Sequence, residues 1–187
     1  MLEQSINTAT TQVGIKLGPE RFYRQIEKFG FGEKVNCGLG GESRGIVNDW
    51  HNWYKPDVGM ITFGQGISVT PLQLIGAYSS FATDGYLLKP ILIKQIESED
   101  GRFVKAFANE KNKILSPQIV ANMRQLLRNV VMNGSGRRAS MEAFAVCGKT
   151  GTAQKAAPHG RGYLIGNYIA SFIGFAPMKN PKIVCLV

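Results

Sequence analysis

The sequence predicts an α+β fold in which helices precede a strand-rich segment built from antiparallel hairpins. Three stretches show helical periodicity, and each of them opens with a proline. They occupy residues 19–29, 71–83 and 117–132. The last third of the chain instead holds short apolar runs separated by turn residues, which is typical of strands. With 187 residues, 44% of them hydrophobic, the chain suits one globular domain.

The first helix is predicted over residues 19–29, where Pro19 fits the first turn and Gly30 supplies a stop. Apolar residues recur within it at helical spacing. Residues 30–66 contain many glycines and few periodic runs, so loop and short strand are expected there.

The second and third helices have clearer starting signals. Thr70 is placed to cap the helix over 71–83, and Ser116 to cap the helix over 117–132. The third helix carries the most regular apolar face, and Gly134 follows its end.

A strand is predicted over 89–97, and the turn at 99–102 returns the chain as a hairpin partner over 103–107. Further strands are predicted over the apolar runs of the last third. They occupy residues 144–154, 168–176 and 182–187, with a hairpin turn at 177–181. Residues 155–167, which include Pro158, Gly160, Arg161 and Gly162, are predicted to form a mobile loop.

Composition excludes several classes of function. The formal charge is +9, but the basic residues are scattered and no Lys/Arg-rich run of five occurs, so no nucleic-acid surface is predicted. No stretch of eighteen apolar residues occurs, and the N-terminal residues do not resemble a signal peptide. Three distant cysteines and the isolated His51 and His159 indicate no structural zinc site. Cys147 and Cys185 are expected to be buried within strands.

The segment with the clearest chemistry is Lys149-Thr150-Gly151-Thr152, which follows a strand-like run. The lysine ammonium supplies a positive field for a substrate carboxylate and can take part in proton transfer. The threonine hydroxyls can donate hydrogen bonds to the same carboxylate, and the glycine permits a close approach. A phosphate-binding loop also ends in Gly-Lys-Thr, but that pattern requires a glycine where Ala143 stands and a helix after the motif.

A second short motif is Ser5-Ile6-Asn7, which by itself is more typical of a helix cap than of a site. Ser-x-x-Lys, Ser-Asp-Asn and Lys-Thr-Gly together are the signature of penicillin-binding proteins and class A β-lactamases. The chain holds counterparts of the second and third elements in that order, at Ser5 and Lys149.

Longer strings strengthen this resemblance, and the chain resembles class B penicillin-binding proteins, the monofunctional transpeptidases of cell division or elongation, over nearly its whole length. The strings are FGFG at 29–32, GESRG at 41–45, TFGQG at 62–66, VTPLQL at 69–74, GKTGTAQ at 148–154 and SFIGFAP at 171–177. The resemblance implies a transpeptidase fold, an antiparallel sheet flanked by helices, with Lys149 on a strand and Ser5 on a loop between helices.

One element of the family is missing, because no serine in the chain is followed by lysine three residues later. Residues 1–187 are therefore expected to be the C-terminal part of a transpeptidase domain, truncated at both ends, without the Ser-x-x-Lys segment. A Ser-x-x-Lys about fifty residues before Ser5 would restore the enzyme. Its absence would make the protein a non-catalytic module that keeps the fold.

The resemblance implies a serine acyl-enzyme mechanism that cross-links peptidoglycan stem peptides and that β-lactams block. Ser5 would help to relay a proton, Asn7 would bind the substrate amide, and Lys149 would set the local positive potential. Thr150 and Thr152 would hold the substrate carboxylate, with Gly151 between them, and the Thr152 N–H would be an oxyanion donor. The isolated chain is expected to be inactive.

Further expectations also come from the resemblance. The parent protein would be anchored in the cytoplasmic membrane, with this part on the extracytoplasmic face, and cell-division or elongation proteins are candidate partners. No cofactor or metal is implied. Missing sheet neighbours would expose apolar surface and favour association between copies. A β-lactamase or a β-lactam-sensing domain is the alternative with the same fold.

Overall fold

The structure is a computed structural model that describes residues 1–158 and 162–187. Its helices and strands are distributed along the whole chain. The α-helices are α1 (Asn7–Leu17), α2 (Pro19–Lys28), α3 (Lys55–Ile61), α4 (Pro71–Ala82) and α5 (Pro117–Asn133). The strands are β1 (Tyr86–Leu88), β2 (Gln95–Glu97), β3 (Phe103–Ala106), β4 (Lys111–Lys113), β5 (Cys147–Ala156), β6 (Tyr163–Ala176) and β7 (Ile183–Leu186). Short 3₁₀ turns lie at Trp50–Asn52 and Arg137–Ala139.

The main sheet is antiparallel and has the strand order β5-β6-β7. Its register places Lys149 opposite Ile173 and Thr152 opposite Ala170. Two separate two-stranded ladders, β1-β4 and β2-β3, lie outside this sheet. The long β5-β6 hairpin is therefore the element that presents the Lys149 motif.

Helices α4 and α5 cover the main sheet, α5 packing against β5 and α4 packing against β6 and β7. The core cluster at this layer consists of Leu127, Cys147 and Phe175, each at most 2% exposed. Arg128 of α5 donates from Nη1 to the carbonyl oxygen of Val146 at 3.0 Å, just before β5 begins. The start of β5 is thus fixed by apolar packing and by a charge-assisted hydrogen bond.

The three helices predicted from periodicity are confirmed as α2, α4 and α5. Both predicted caps are present, since Thr70 accepts a hydrogen bond from the Gln73 amide and Ser116 accepts one from the Ile119 amide. The Gln73 side chain also returns to the Thr70 amide at 2.8 Å, which completes a capping box.

Two helices were not predicted from sequence, α1 and α3. Helix α1 is rich in threonine, contains the interior Gly14 and has no side-chain cap. It forms by packing against α3, where a methyl group at Gly14 would overlap the Thr62 side chain. The prediction of loop and short strand over 30–66 is wrong where α3 forms, at Lys55–Ile61. The strand-like pairing of this segment is an isolated bridge between Ile46 and Ser68.

Of the strand predicted over 89–97, only β2 forms, at Gln95–Glu97. An earlier strand, β1, pairs with β4 instead. Pro90 has no amide hydrogen and therefore cannot extend a ladder through this segment. The predicted hairpin across 99–102 is confirmed by the β2-β3 pairing. The hairpin predicted around 177–181 is confirmed by the β6-β7 pairing.

The loop predicted over 155–167 is shorter than expected, because β5 reaches Ala156 and β6 begins at Tyr163. Gly160 and Arg161, which the prediction placed in that loop, lie outside the described residues.

The expectation of a buried Cys185 is wrong, because that residue is exposed on β7. Cys147 is fully buried, as expected, and Cys37 is buried as well. Among the described residues, no helix is both long enough and apolar enough to cross a membrane.

Candidate active site

Strand β5 carries Lys149 and Thr150 at the end that is tied to α5. The Lys149 ammonium donates to the carbonyl oxygen of Thr150 at 2.8 Å and to its hydroxyl at 3.3 Å. These contacts fold the lysine side chain back along its own strand. The ammonium is therefore held in a defined position rather than extended into solvent.

The N-terminal turn holds Ser5 in front of α1. The Ser5 amide donates to the Leu2 carbonyl oxygen at 3.2 Å, and the Ile6 amide donates to the Met1 carbonyl oxygen at 3.3 Å. Ser5 itself has a positive φ of 52°. A positive φ is uncommon for a residue other than glycine and often accompanies a functional constraint.

Hydrogen bonds connect the C-terminal end of α5 to the turn that carries Ser5. The Ser135 amide donates to the Glu3 carbonyl oxygen at 2.9 Å, and the Gln4 side-chain amide donates to the Asn133 carbonyl oxygen at 3.3 Å. Gly134 leaves room for the contact, since a methyl group there would overlap the Glu3 backbone. The end of α5 thus fixes the turn that carries Ser5.

Ser5 and Lys149 meet although 144 residues separate them in the chain, with Lys149 Nζ 2.8 Å from Ser5 Oγ. Ser5 is exposed and Lys149 is half-buried. A hydroxyl and an amine at hydrogen-bond distance form the geometry needed for proton transfer between them.

The Lys149 ammonium is a cation whose described hydrogen-bond partners are neutral oxygen atoms. The three hydrogen bonds of the Lys149 ammonium go to two hydroxyls and one carbonyl oxygen. Burial lowers the pKa of Lys149 below its ordinary value, because the charged form loses hydration. None of the salt bridges between described side chains involves this ammonium. Its positive field therefore remains available to an anionic ligand.

Ser135 belongs to the same cluster and was not identified from the sequence. Its hydroxyl lies 3.0 Å from the Thr150 hydroxyl. The sequence signal was a serine between two glycines just after a helix end. That pattern indicates a tight turn, and its contact with β5 depends on how α5 packs on the sheet.

The other predicted site residues lie around this cluster. Asn7 begins α1 and is exposed. The described hydrogen bonds of the Lys149 ammonium go to Ser5 and Thr150, and none of them joins it to the Asn7 side chain. Gly151 faces Ser171 of β6, whose Oγ would lie 2.7 Å from a methyl group added at Gly151. Thr152 is exposed further along β5. Hydrogen bonds thus join Ser5, Lys149 and Thr150 directly. Asn7 and Thr152 are exposed and are not part of this set of hydrogen bonds.

Several alternative chemistries find no support in the described residues. Strand β5 continues to Ala156, so no helix follows the Lys-Thr pair as a phosphate-binding loop requires. No group of three His, Cys, Asp or Glu among residues 1–158 and 162–187 is arranged to hold a metal ion. His159 lies outside that part of the chain.

Two surface cavities lie away from the cluster. One, of about 290 Å³, is lined by residues that include Phe29 and Leu72, and the other, of about 320 Å³, by residues that include Tyr23 and Arg44. Neither is lined by Ser5, Lys149 or Thr150. The side chains of the candidate site therefore lie outside both cavities.

Comparison with known families and sequences gives one consistent result. The family model of the penicillin binding protein transpeptidase domain matches residues 1–187. The chain is 37% identical to stage V sporulation protein D of Bacillus subtilis, covering 100% of this chain and 29% of that protein. It is 34% identical to penicillin-binding protein PbpB of Mycolicibacterium smegmatis, covering 97% of this chain and 29% of that protein.

Solved structures agree with the sequence matches. Penicillin-binding protein 3 of Mycobacterium tuberculosis, complexed with aztreonam, matches with a TM-score of 0.91 and 34% identity. The match covers 98% of this chain and 42% of that structure. The same protein complexed with ampicillin matches equally well. The chain spans 29% of the length of the curated relatives named above.

Proposed function

The chain belongs to the family of penicillin-binding protein transpeptidase domains, and we propose that it supplies two of the three active-site elements of a peptidoglycan D,D-transpeptidase. The observation that carries the proposal is the 2.8 Å contact between Lys149 Nζ and Ser5 Oγ, two motif residues that the fold brings together from distant parts of the chain. In this reaction a serine attacks the D-alanyl-D-alanine carbonyl of a stem peptide, and D-alanine leaves. An amine from a neighbouring peptidoglycan strand then resolves the acyl-enzyme.

The nucleophilic serine of this scheme comes from outside the residues of this chain, since no Ser-x-x-Lys occurs here. Ser5 and Lys149 act on the proton that the leaving amine needs. Lys149 donates to Ser5 at 2.8 Å, so a proton given up by the Ser5 hydroxyl can be replaced from the ammonium. The lowered pKa of Lys149 favours such a transfer, because burial makes the neutral amine easier to reach.

The substrate carboxylate is assigned to the hydroxyls of β5. Thr150 already contacts the ammonium, so an anion bound at its hydroxyl would lie within the field of Lys149. Thr152 is exposed two residues further along the strand and would complete the carboxylate site. The Thr152 amide is proposed as one oxyanion donor, and Asn7 as a hydrogen-bonding partner of the substrate amide.

Gly151 has a supporting role between the two threonines. A side chain at this position would meet Ser171 across the ladder. Its absence keeps β5 and β6 close and leaves the strand backbone accessible to an extended substrate.

β-Lactams are proposed ligands of the same site, in line with the aztreonam and ampicillin complexes of the Mycobacterium tuberculosis relative. Stem peptides of peptidoglycan are the proposed substrates, which places the working protein on the extracytoplasmic face of the cytoplasmic membrane. Cell-division or elongation proteins are the proposed partners.

Labelling with a fluorescent penicillin tests the proposal. The intact protein that contains this chain is expected to give a covalent band on a denaturing gel, and unlabelled ampicillin should abolish that band. The isolated 187-residue chain is expected to remain unlabelled. An intact protein that is not labelled would overturn the proposed function. A labelled isolated chain would show that one of its own hydroxyls is the nucleophile.

A further inference from the structure

We infer that Ser135 is a positioning residue for the acyl donor's carboxylate, and that it acts by orienting the hydroxyl of Thr150. This inference rests on the proposed function. It assigns a role to a residue at the end of α5 that lies outside the Ser5 and Lys149 motifs.

The backbone on both sides of Ser135 is held by hydrogen bonds to the end of α5. Val130 is fully buried, and its carbonyl oxygen accepts hydrogen bonds from the amides of Gly134 and Gly136, at 3.1 and 3.0 Å. A methyl group at Gly136 would press on Val130, and one at Gly134 would overlap the Glu3 backbone. The two glycines thus let the turn pack against the helix end and against the N-terminal turn at once.

Ser135 links the two halves of the proposed site. Its amide donates to Glu3, two residues before Ser5, and its hydroxyl lies 3.0 Å from the Thr150 hydroxyl. Thr150 in turn accepts from Lys149, which contacts Ser5. The backbone contact sets where Ser5 stands, and the hydroxyl contact reaches the proposed carboxylate site.

The direction of the hydrogen bonds follows from the donors available. A lysine ammonium can only donate, so the Thr150 oxygen accepts from Lys149. A threonine hydroxyl has two lone pairs and one hydrogen. In the arrangement that we infer, Ser135 donates to the second lone pair of Thr150. The Thr150 hydrogen, for which the described hydrogen bonds show no other protein acceptor, is then left for an anionic ligand.

Removal of the Ser135 hydroxyl leaves the Thr150 hydrogen free to rotate and removes one partner from the carboxylate site. The expected consequence is selective, because it concerns the ligand's negative charge. A purely structural role, in which Ser135 only holds the Ser5 turn, would slow acylation by charged and uncharged ligands alike.

The test measures the second-order rate of acylation of the intact protein by benzylpenicillin and by its methyl ester. For Ser135→Ala we expect a loss of about two- to tenfold with the acid, the effect of one hydrogen bond, and a loss of less than about twofold with the ester. Ser135→Thr restores a hydroxyl and should recover most of the rate with the acid. Ser140→Ala, an exposed serine beyond the same turn, is the matched control and should change neither rate.

Each outcome decides between the claims. Equal losses with acid and ester, or no loss with either, would overturn the inference and leave the proposed function intact. A wild-type protein that is not acylated would overturn both. If alanine lowers the melting temperature, Ser135→Cys, which keeps the side-chain size but hydrogen-bonds weakly, supplies the same comparison.

Discussion

Replacement of Gly148 by alanine tests how closely the Lys149 strand must pack against its neighbour. Gly148 precedes Lys149 and pairs with Gly174 of β6. A methyl group on Gly148 would lie 2.6 Å from the Ile173 carbonyl oxygen and 3.0 Å from the Gly174 Cα, and it would also overlap the Phe172 ring. The aromatic ring can rotate away, but the overlap with the two backbone atoms can be relieved only by moving β5 and β6 apart.

The expected cost is that of an overpacked core, about 1–3 kcal/mol in the free energy of unfolding. Moving the strands apart would also displace Lys149 relative to Ser5, whose Oγ lies 2.8 Å from Lys149 Nζ. Misplacement of a catalytic group by about 1 Å can cost about a hundredfold in rate.

Calorimetry and fluorescent-penicillin kinetics on one preparation of the intact protein measure both effects. Gly40→Ala is the matched control, because a methyl group at Gly40 would meet no atom within 4 Å. The control should change stability by no more than about 0.5 kcal/mol. A Gly148→Ala protein with unchanged stability and acylation rate would refute the claim that close β5-β6 packing positions Lys149.

Three further predictions concern the lysine and the helix that supports it. Lys149→Met should slow acylation by about ten- to a hundredfold, because it removes charge-assisted hydrogen bonds, while Lys155→Met, on the same strand but exposed, should leave the rate unchanged. The lowered pKa of Lys149 means that the unfolded chain binds more protons just below the ordinary lysine pKa of about 10.4. Wild type should therefore gain stability relative to Lys149→Met as the pH rises from 7 toward that value, and denaturant titrations at several pH values measure the gain. Leu127→Ala should cost about 2–5 kcal/mol because Leu127 is only 2% exposed, whereas Leu126→Ala, at an exposed position, should cost about 0.5 kcal/mol or less by urea unfolding.

The helices that the sequence predicted share local signals. Helices α4 and α5 each begin with a capping hydroxyl and a proline, and an apolar stripe follows. Helix α1 has none of these signals, and Gly14 is its single buried residue. Its stability comes from contact with α3, which no local pattern encodes.

The same division applies to the candidate site. Lys149 and Ser5 were found because short motifs mark them and longer strings support the family resemblance. Ser135 was missed because its relation to Thr150 depends on where α5 ends relative to β5. That relation follows from tertiary packing around Leu127 and Val130, and it cannot be read from residue spacing.

A double-mutant cycle on Ser5 and Lys149 tests most directly whether these two residues act as one unit. Acylation rates of the intact protein would be measured for Ser5→Ala, Lys149→Met and the double variant. A direct hydrogen bond at 2.8 Å predicts that the two losses do not add, with an interaction energy of about 0.5–3 kcal/mol. Losses that add to within about 0.3 kcal/mol would show that the residues work independently, and would contradict the proposed site.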